Sequence, residues 1–207
     1  MNNSKSQSGI SRAVKGYFSQ NWGILLGLLV LCVIFSIFGS NFLTTNNLLN
    51  LLRTCATNCY LAIGVQMAII LAGIDLTGGA LAAFTGVMTV AAFEWWGMPV
   101  GVAVAMGVLF GLVIGFLNGA IVAYTGIHPF VVTLAMQSIC RGTAYLVANG
   151  SPVTAYGQDA FAEIGQGSIG PVPLPVVYMI IFLILDYFFL NKTKTGRHIY
   201  AVGGNEV

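Results

Sequence analysis

The sequence predicts an all-α integral membrane protein, and three observations lead to this fold class. Of the 207 residues, 57% are hydrophobic and only 7% are charged, whereas an ordinary soluble domain carries about 25% charged residues. Apolar runs of roughly 17 residues or more, the length that crosses a bilayer core, recur along the chain. Most of the lysines and arginines lie before the first run or after the last. A chain with this few charged residues cannot form a surface that faces water on all sides. The sequence therefore predicts that most of its surface faces the lipid bilayer.

Six stretches are long and apolar enough to be transmembrane helices. They are, in chain order, Trp22–Phe38, Ala56–Ile74, Leu76–Phe93, Met98–Ala123, Pro129–Val147 and Val172–Leu190. The polar stretch Thr45–Arg53 is too short to cross and predicts a short helix lying along the outer interface. The chain then divides into an N-terminal segment at 1–21, a transmembrane domain at 22–190 and a tail at 191–207.

The distribution of basic residues predicts the orientation of these spans. An even number of crossings places both clusters of basic residues, and therefore both termini, in the cytoplasm. The loop at 149–171 contains no lysine or arginine, as expected of an outer loop. The two basic clusters consist of Lys5, Arg12 and Lys15 before the first span, and Lys192, Lys194 and Arg197 after the last.

Four glycines recur every fourth residue along the fourth predicted span: Gly107, Gly111, Gly115 and Gly119. This spacing places them on one stripe, where the backbone of another helix can approach closely. The stripe could pack within one bundle or between two subunits, and ordinary experience with membrane helices favours the first.

Several function classes find no support in the sequence. The net charge of +2 without a long basic run does not indicate nucleic-acid binding. The glycine pattern at Gly165–Gly170 runs into prolines instead of opening a helix, so it is not a dinucleotide site. No phosphate-binding loop is present, and no serine, histidine and carboxylate grouping suggests catalysis. We therefore predict no catalytic residue, no metal site and no cofactor on this chain.

Polar residues inside the predicted spans are candidates for a function because they are costly in lipid. Arg141 lies deep in its span and should either face a polar path or extend its side chain to the outer headgroups; the two are about equally plausible. Gln66 and Asn118 could hold helices together or line a path. Asp186, near the cytoplasmic end of the last span, could pair with Lys192 in a structural role.

The stretch Ala72–Ala80, with the sequence AGIDLTGGA, predicts a break between the second and third spans. Gly78 and Gly79 permit a sharp turn. A carboxylate there can accept backbone N–H bonds at the start of the next helix, so Asp75, assisted by Thr77, is predicted first as a helix cap. Contact with a transported substrate is the second interpretation.

Several motifs, in order along the chain, resemble the ribose-type permease family of bacterial ABC sugar importers. One departure is Asp75–Ala80, where the family more often has Asp-Leu-Ser-Val-Gly-Ser. Family members also continue well past the last motif, so the resemblance covers about the first two-thirds of a permease. The motifs are FLTTNNLLNLLR at 42–53, GIDLT at 73–77, PFVVTL at 129–134, RG at 141–142 and TGRHIYAVGGN at 195–205.

The resemblance implies a permease subunit that moves a monosaccharide through the bacterial cytoplasmic membrane by alternating access. The implied partners are an ATPase subunit that carries ATP and Mg²⁺, an external sugar-binding protein and a second permease subunit. The tail would lead towards the ATPase. The tail residues on that coupling side are Thr195, Gly196, Arg197, Gly203, Gly204 and Asn205.

Two other functions remain open at the level of sequence. An ion-coupled carrier that works alone would need an intramembrane carboxylate, and Asp75 is the plausible one. A membrane scaffold without transport activity would be the fate of a shortened permease that still inserts. For residues 1–207 on their own we expect weak or absent transport.

Overall fold

The computed structural model describes residues 3–156 and 159–204, with the surroundings of side chains described at Gly16 and from Phe18 onwards in these ranges. The chain divides into two compact units, Met1–Leu51 and Leu52–Val207.

The first unit is built around helix α1, Asn3–Phe38. Its apolar part, Phe18–Phe38, is long enough to cross a membrane. The Nδ2 atom of Asn47 donates to the carbonyl of Phe42 at 2.8 Å and fixes the turn before the next helix.

The second unit contains most of the helices and one small hairpin. Helix α2, Thr45–Ile70, runs into it. Strands β1 and β2 pair antiparallel, with Ser168 opposite Pro173 and Ile169 opposite Val172. The other elements are α3 (Gly78–Glu94), α4 (Val100–Thr125), α5 (Pro129–Val147), α6 (Asp159–Gln166), β1 (Ser168–Ile169), β2 (Val172–Pro173), α7 (Leu174–Lys192) and α8 (Lys194–Gly203).

Local sequence explains where α4 ends and α5 begins. Gly126 adopts a left-handed conformation with φ of 69° and ends α4, a position where glycine carries no steric cost. Pro129 occupies the first helical position of α5, where its missing N–H is not needed. The Nδ1 atom of His128 accepts the amide of Phe130 at 3.3 Å and caps the helix.

The core of the second unit forms around α3, which packs against both α4 and α5. Ala80 and Phe84 of α3 are buried with Cys140 and Ala144 of α5. The ring of Phe84 meets that of Phe110 of α4 edge-on, with centroids 5.6 Å apart. Small residues on one side and aromatic rings on the other allow these helices to approach closely.

Contacts at the helix termini define two ends of this unit. At the loop end, Glu94 accepts the amide of Tyr156 at 2.7 Å, and the rings of Phe93 and Phe161 are 5.1 Å apart. At the tail end, α8 lies beside the last residue of α2, and the start of α5 packs on Gly73. The long helices α2, α3, α4, α5 and α7 therefore alternate in direction between these two ends.

The structure contains five described helices that are long and apolar enough to span a membrane, and α3 is a shorter apolar helix of 17 residues. Pro129–Val147 has the predicted bounds, the third, fourth and sixth spans shift by one or two residues at each end, and the first two shift by more, chiefly at their starts. A six-span topology therefore remains a prediction. The outward faces of these helices are rich in exposed large apolar side chains, as expected of surfaces that meet lipid or other helices.

One sequence prediction about an element is wrong. The predicted separate interfacial helix at Thr45–Arg53 is the first part of α2, because no glycine or proline interrupts the chain between Thr45 and Ala62. The all-α fold class is confirmed, and the described residues add only the short hairpin β1–β2, which Gly170 allows by adopting φ of 60°.

Candidate functional site

The chain between α2 and α3 is a non-helical segment within the helical bundle, Leu71–Thr77, called the break below. Ala72 adopts φ of 57°, a left-handed conformation that ends α2. The amide of Gly73 then turns back to donate to the carbonyl of Ala68 at 2.9 Å. A Cβ at Gly73 would lie 3.3 Å from that of Pro129, so the start of α5 packs tightly against the break.

The carboxylate of Asp75 accepts the backbone amide of Thr77 at 2.7 Å. Thr77 is the residue that precedes α3, and its own side chain makes no cap bond to that helix. Asp75 therefore closes a turn just before the helix instead of binding the amides of the first helical turn. Gly78 is partly buried and Gly79 is exposed as α3 begins.

Three buried polar side chains from three parts of the chain meet at the break. Thr77, Thr133 and Asn118 are 1%, 5% and 9% exposed. Asn118 of α4 donates to the hydroxyl of Thr77 at 3.0 Å. The hydroxyl of Thr133 in α5 donates to the carbonyl of Ile74 at 3.0 Å. These bonds tie the break to α4 and α5, and the three side chains are called the polar hub below.

The Oδ1 atom of Asn118 is buried and has no hydrogen-bond partner within the described residues. A buried acceptor left in this way costs about 1–3 kcal/mol. The polar hub therefore lacks one hydrogen-bond donor, the one that would bind the Oδ1 atom of Asn118. Sequence reasoning missed Thr133, although the motif PFVVTL that contains it was one of the segments that carried the family resemblance.

A cleft of about 580 Å³ extends from the break between α2, α3 and α4. Asp75 lies at its tail end, while Phe161 and Ile164 of α6 lie at its other end. Because its wall follows α3 from Gly78 to Thr89, the cleft is about 16 Å long at 1.5 Å per residue. Its lining is mostly apolar. Glycines lie along the wall at Gly64, Gly78, Gly86, Gly107 and Gly111, and all of them except Gly107 are at least partly exposed.

Tyr60, which sequence reasoning did not select, lines this cleft and a second, more apolar one of about 570 Å³ beside α7. Its hydroxyl donates to the carbonyl of Pro175, the second residue of α7. The sequence gives only weak indication that Tyr60 lines a cleft, because single tyrosines are common where apolar spans meet the membrane interface.

The glycine stripe of α4 divides into two halves. Gly107 is buried, and a Cβ there would overlap the hydroxyl of Thr89. Gly111 would only touch the methyl of Thr85, at 4.0 Å. Gly115 and Gly119 face open space. The first half therefore packs within the bundle, and the second half packs against nothing within the described residues.

Other predicted path residues lie away from the cleft. Gln66 and Arg141 are exposed on the outside of the bundle, so Arg141 does not face the interior of these helices. Asp186 is partly buried with an unpartnered Oδ1 atom. The predicted pairing of Asp186 with Lys192 is wrong, because no ion pair joins these two described residues.

The tail residues predicted on the coupling side begin at the start of α8. Thr195 and Arg197 are exposed, whereas Gly196 is buried. Gly203 is the last residue of α8, and the amide of Gly204 donates to the carbonyl of Tyr200 at 3.0 Å. Asn205 lies outside the described residues.

Within the part of the chain that the structure describes, no group of three or more histidine, cysteine or acidic side chains could hold a metal ion. Cys32, Cys55, Cys59 and Cys140 are all free thiols. The described residues thus form a mostly apolar cleft that reaches Asp75 in the break.

The sequence is similar to those of known membrane permeases. Residues 47–207 match the family described as branched-chain amino acid transport system / permease component. The ribose import permease protein RbsC of Escherichia coli strain K12 is 39% identical over 199 residues, covering 92% of this chain and 61% of that protein. No solved structure matches this chain.

Two further relatives are similar over most of the chain. The ribose import permease protein RbsC of Bacillus subtilis strain 168 is 36% identical, covering 90% of this chain and 58% of that protein. The D-allose transport system permease protein AlsC of Escherichia coli strain K12 is 33% identical, covering 91% and 59%. The chain thus spans about three-fifths of the length of the curated relatives that it matches.

Proposed function

We propose, since the chain belongs to the branched-chain amino acid transport system / permease component family, that it is the permease subunit of an ATP-binding-cassette importer for a monosaccharide. Membership of this permease family bears out the resemblance read from the sequence. The chain is a multi-pass protein of the bacterial cytoplasmic membrane. A permease of this kind is a transport component and not an enzyme, and it binds no cofactor itself.

The sugar as substrate class is supported by the names of the relatives. Two of those described are ribose import permeases and one is a D-allose transport permease. Both ribose and allose are small polyhydroxylated rings. A cleft of about 580 Å³ has room for one such ring and its nearest waters.

The observation that carries the proposal is the cleft that runs along α3 and ends at the break. A path for a polar solute needs few strong contacts, since tight binding would slow release. The mostly apolar wall with partly exposed glycines meets this requirement. Asp75 at its tail end is the one charged side chain that lines the cleft among the described residues.

The proposed mechanism is alternating access. In the proposal the tail end faces the cytoplasm, because the basic residues of the tail lie there. The cleft opens alternately to the loop end and to the tail end, and the break is the element that rearranges. Nucleotide on a partner ATPase and a sugar-loaded binding protein would each favour a different state, as a switch between two states requires.

The proposed assembly contains the ATPase, an external sugar-binding protein and a second permease subunit. We also propose six spans, with α3 as the third. Its 17 residues rise about 26 Å, and the break extends the crossing at the tail end. The transmembrane region would then be residues 22–190, between a cytoplasmic N-terminal segment, 1–21, and a cytoplasmic tail, 191–207.

The proposal is tested with the protein expressed from its natural gene in membrane vesicles. We expect it to co-purify with an ATP-binding-cassette ATPase and to take up labelled sugar only when ATP is supplied inside the vesicles. Absence of any such ATPase from the purified complex would overturn the proposal. Uptake that survives ATP depletion but stops with an uncoupler would identify an ion-coupled carrier instead.

The role of Asp75 is tested by comparing Asp75→Asn with Asp75→Ala. Asparagine keeps an oxygen that can accept the amide of Thr77, so we expect uptake to stay within about threefold of the unaltered protein. Alanine loses this acceptor, and uptake should fall further. A proton-coupled carrier would instead lose coupled uptake in both variants, since neither asparagine nor alanine can bind and release a proton at this position.

A further inference from the structure

Helix α8 touches the last residue of α2 at a point where only glycine fits. A Cβ at Gly203 would overlap the carbonyl oxygen of Ile70 and lie 3.1 Å from the Cα atom of Leu71. Both atoms belong to the backbone, so no side-chain rotation could make room for a methyl group. The end of α8 and the end of α2 are therefore in direct backbone contact.

The start of α8 is seated in the same way on α7. A Cβ at Gly196 would overlap the carbonyl oxygen of Leu190, again a backbone atom. The hydroxyl of Thr193 accepts the amide of Gly196 at 3.0 Å and donates to the carbonyl of Phe189 at 2.6 Å. Helix α8 thus bridges the ends of α7 and α2, with a glycine at each contact.

Ile70 is followed directly by the break. The break is held on its other side by Pro129, which packs on Gly73, and by Thr133, which binds the carbonyl of Ile74. A movement of α8 that displaces Ile70 cannot be absorbed at the start of α5, because Thr133 is buried and bonded there. The displacement must be taken up within the break.

We propose that α8 controls the conformation of the break through the backbone contact between Gly203 and Ile70. Gly203 is a positioning residue in this proposal, because it acts on Asp75 and Thr77 through the end of α2. When α8 moves, the tail end of the cleft changes shape. The role of this contact in transport rests on the proposed function, in which the partner ATPase would move α8.

The test measures amide hydrogen exchange of the full chain in lipid nanodiscs. The probes are the amides of Leu71, Ala72 and Gly73, which donate to Met67, Ile69 and Ala68 in the last turns of α2. In Gly203→Ala the methyl group has to separate the two backbones. We expect these three amides to exchange at least about tenfold faster, through local opening of the break.

Two controls separate this effect from general damage. The amides of Trp95, Trp96 and Met98 are bonded at the loop end of α3 and should keep their exchange rates in the same variant. Gly142→Ala, at an exposed helical site where a Cβ meets nothing within 4 Å, should leave both sets unchanged. Unchanged exchange at the break overturns the proposal, and equal acceleration at both ends overturns it too.

If Gly203→Ala does not fold, Gly196→Ala carries the same test from the other end of α8. The added methyl group lifts the start of α8 from α7 and leaves the contact atoms of Gly203 and Ile70 intact. Faster exchange confined to the break supports the proposal, and unchanged exchange there overturns it. None of these measurements uses ATP, sugar or a partner, so their failure is distinct from failure of the proposed transport function.

Discussion

Replacing Gly107 with leucine is expected to destabilise the packing of α4 on α3 by about 3 kcal/mol or more, at the upper end of the cost of overpacking. A Cβ at this position already overlaps the hydroxyl of Thr89 and would lie 3.4 Å from the carbonyl oxygen of Thr85. The hydroxyl of Thr89 must shift to admit even a methyl group, and the carbonyl of Thr85 belongs to the backbone and cannot rotate away. The measurement is thermal unfolding in detergent together with the fraction of protein that elutes as a single species.

The matched control is Gly115→Leu, two turns further along the same helix. A Cβ at Gly115 meets nothing within 4 Å, so the change should alter stability by no more than about 0.5 kcal/mol. The two variants add the same side chain to the same helix and differ only in surroundings. Equal destabilisation by both would mean that the cost comes from helix propensity or insertion, and would contradict the tight packing of Gly107 on Thr89.

Hydropathy located the membrane helices because lipid leaves a chain few choices: backbone groups must be satisfied within the segment. The prediction of α5 succeeded at both bounds since Pro129 and the polar loop after Val147 mark them. Hydropathy failed at Thr45–Arg53, where polar residues suggested an interfacial helix. Polarity influences how deep a segment lies in the membrane but does not by itself end a helix, and no glycine or proline interrupts the chain between Thr45 and Ile63.

The break was predictable, but its attachments were not. Glycines and a carboxylate between two apolar runs indicate a turn from local chemistry alone. The bonds that hold it join Thr77 to Asn118, 41 positions away, and Ile74 to Thr133, 59 positions away. Local patterns carry no information on such pairs, and Thr133 looks like any helix-face threonine in the sequence.

The glycine stripe also shows that a local sequence pattern does not identify contact partners elsewhere in the chain. Its spacing indicated a close approach of helices, but four identical residues gave no way to see that Gly107 touches Thr89 while Gly115 and Gly119 are open. The close approach of Gly203 to Ile70 likewise joins residues far apart in sequence. Its only trace in the sequence is the glycine pair Gly203–Gly204, and paired glycines are equally common in turns where no other backbone lies near.

The polar hub is expected to show energetic coupling when Thr77 and Asn118 are replaced together. Thr77→Val keeps the shape of the side chain but removes the acceptor that Asn118 uses at 3.0 Å. The amide of Asn118 would then be buried without a partner, which costs about 1–3 kcal/mol. Asn118→Leu, measured alone, should cost a similar amount, because it removes the bond and changes the shape of a close-packed site.

The double variant should cost less than the sum of the two by about 1 kcal/mol or more, as residues in direct contact do. With both polar groups gone, the loss of the Thr77 hydroxyl no longer leaves the amide of Asn118 without a partner, and the unpartnered Oδ1 atom is removed as well.

Unfolding free energies in detergent measure this double-mutant cycle, with Thr143→Val as the control. The hydroxyl of Thr143 binds only its own helix, at the carbonyl of Ile139, so its loss should change stability by about 0.5 kcal/mol or less. Strictly additive values for Thr77 and Asn118 would show that the hub does not act as a unit, and the break would then need another account of what holds it in the bundle.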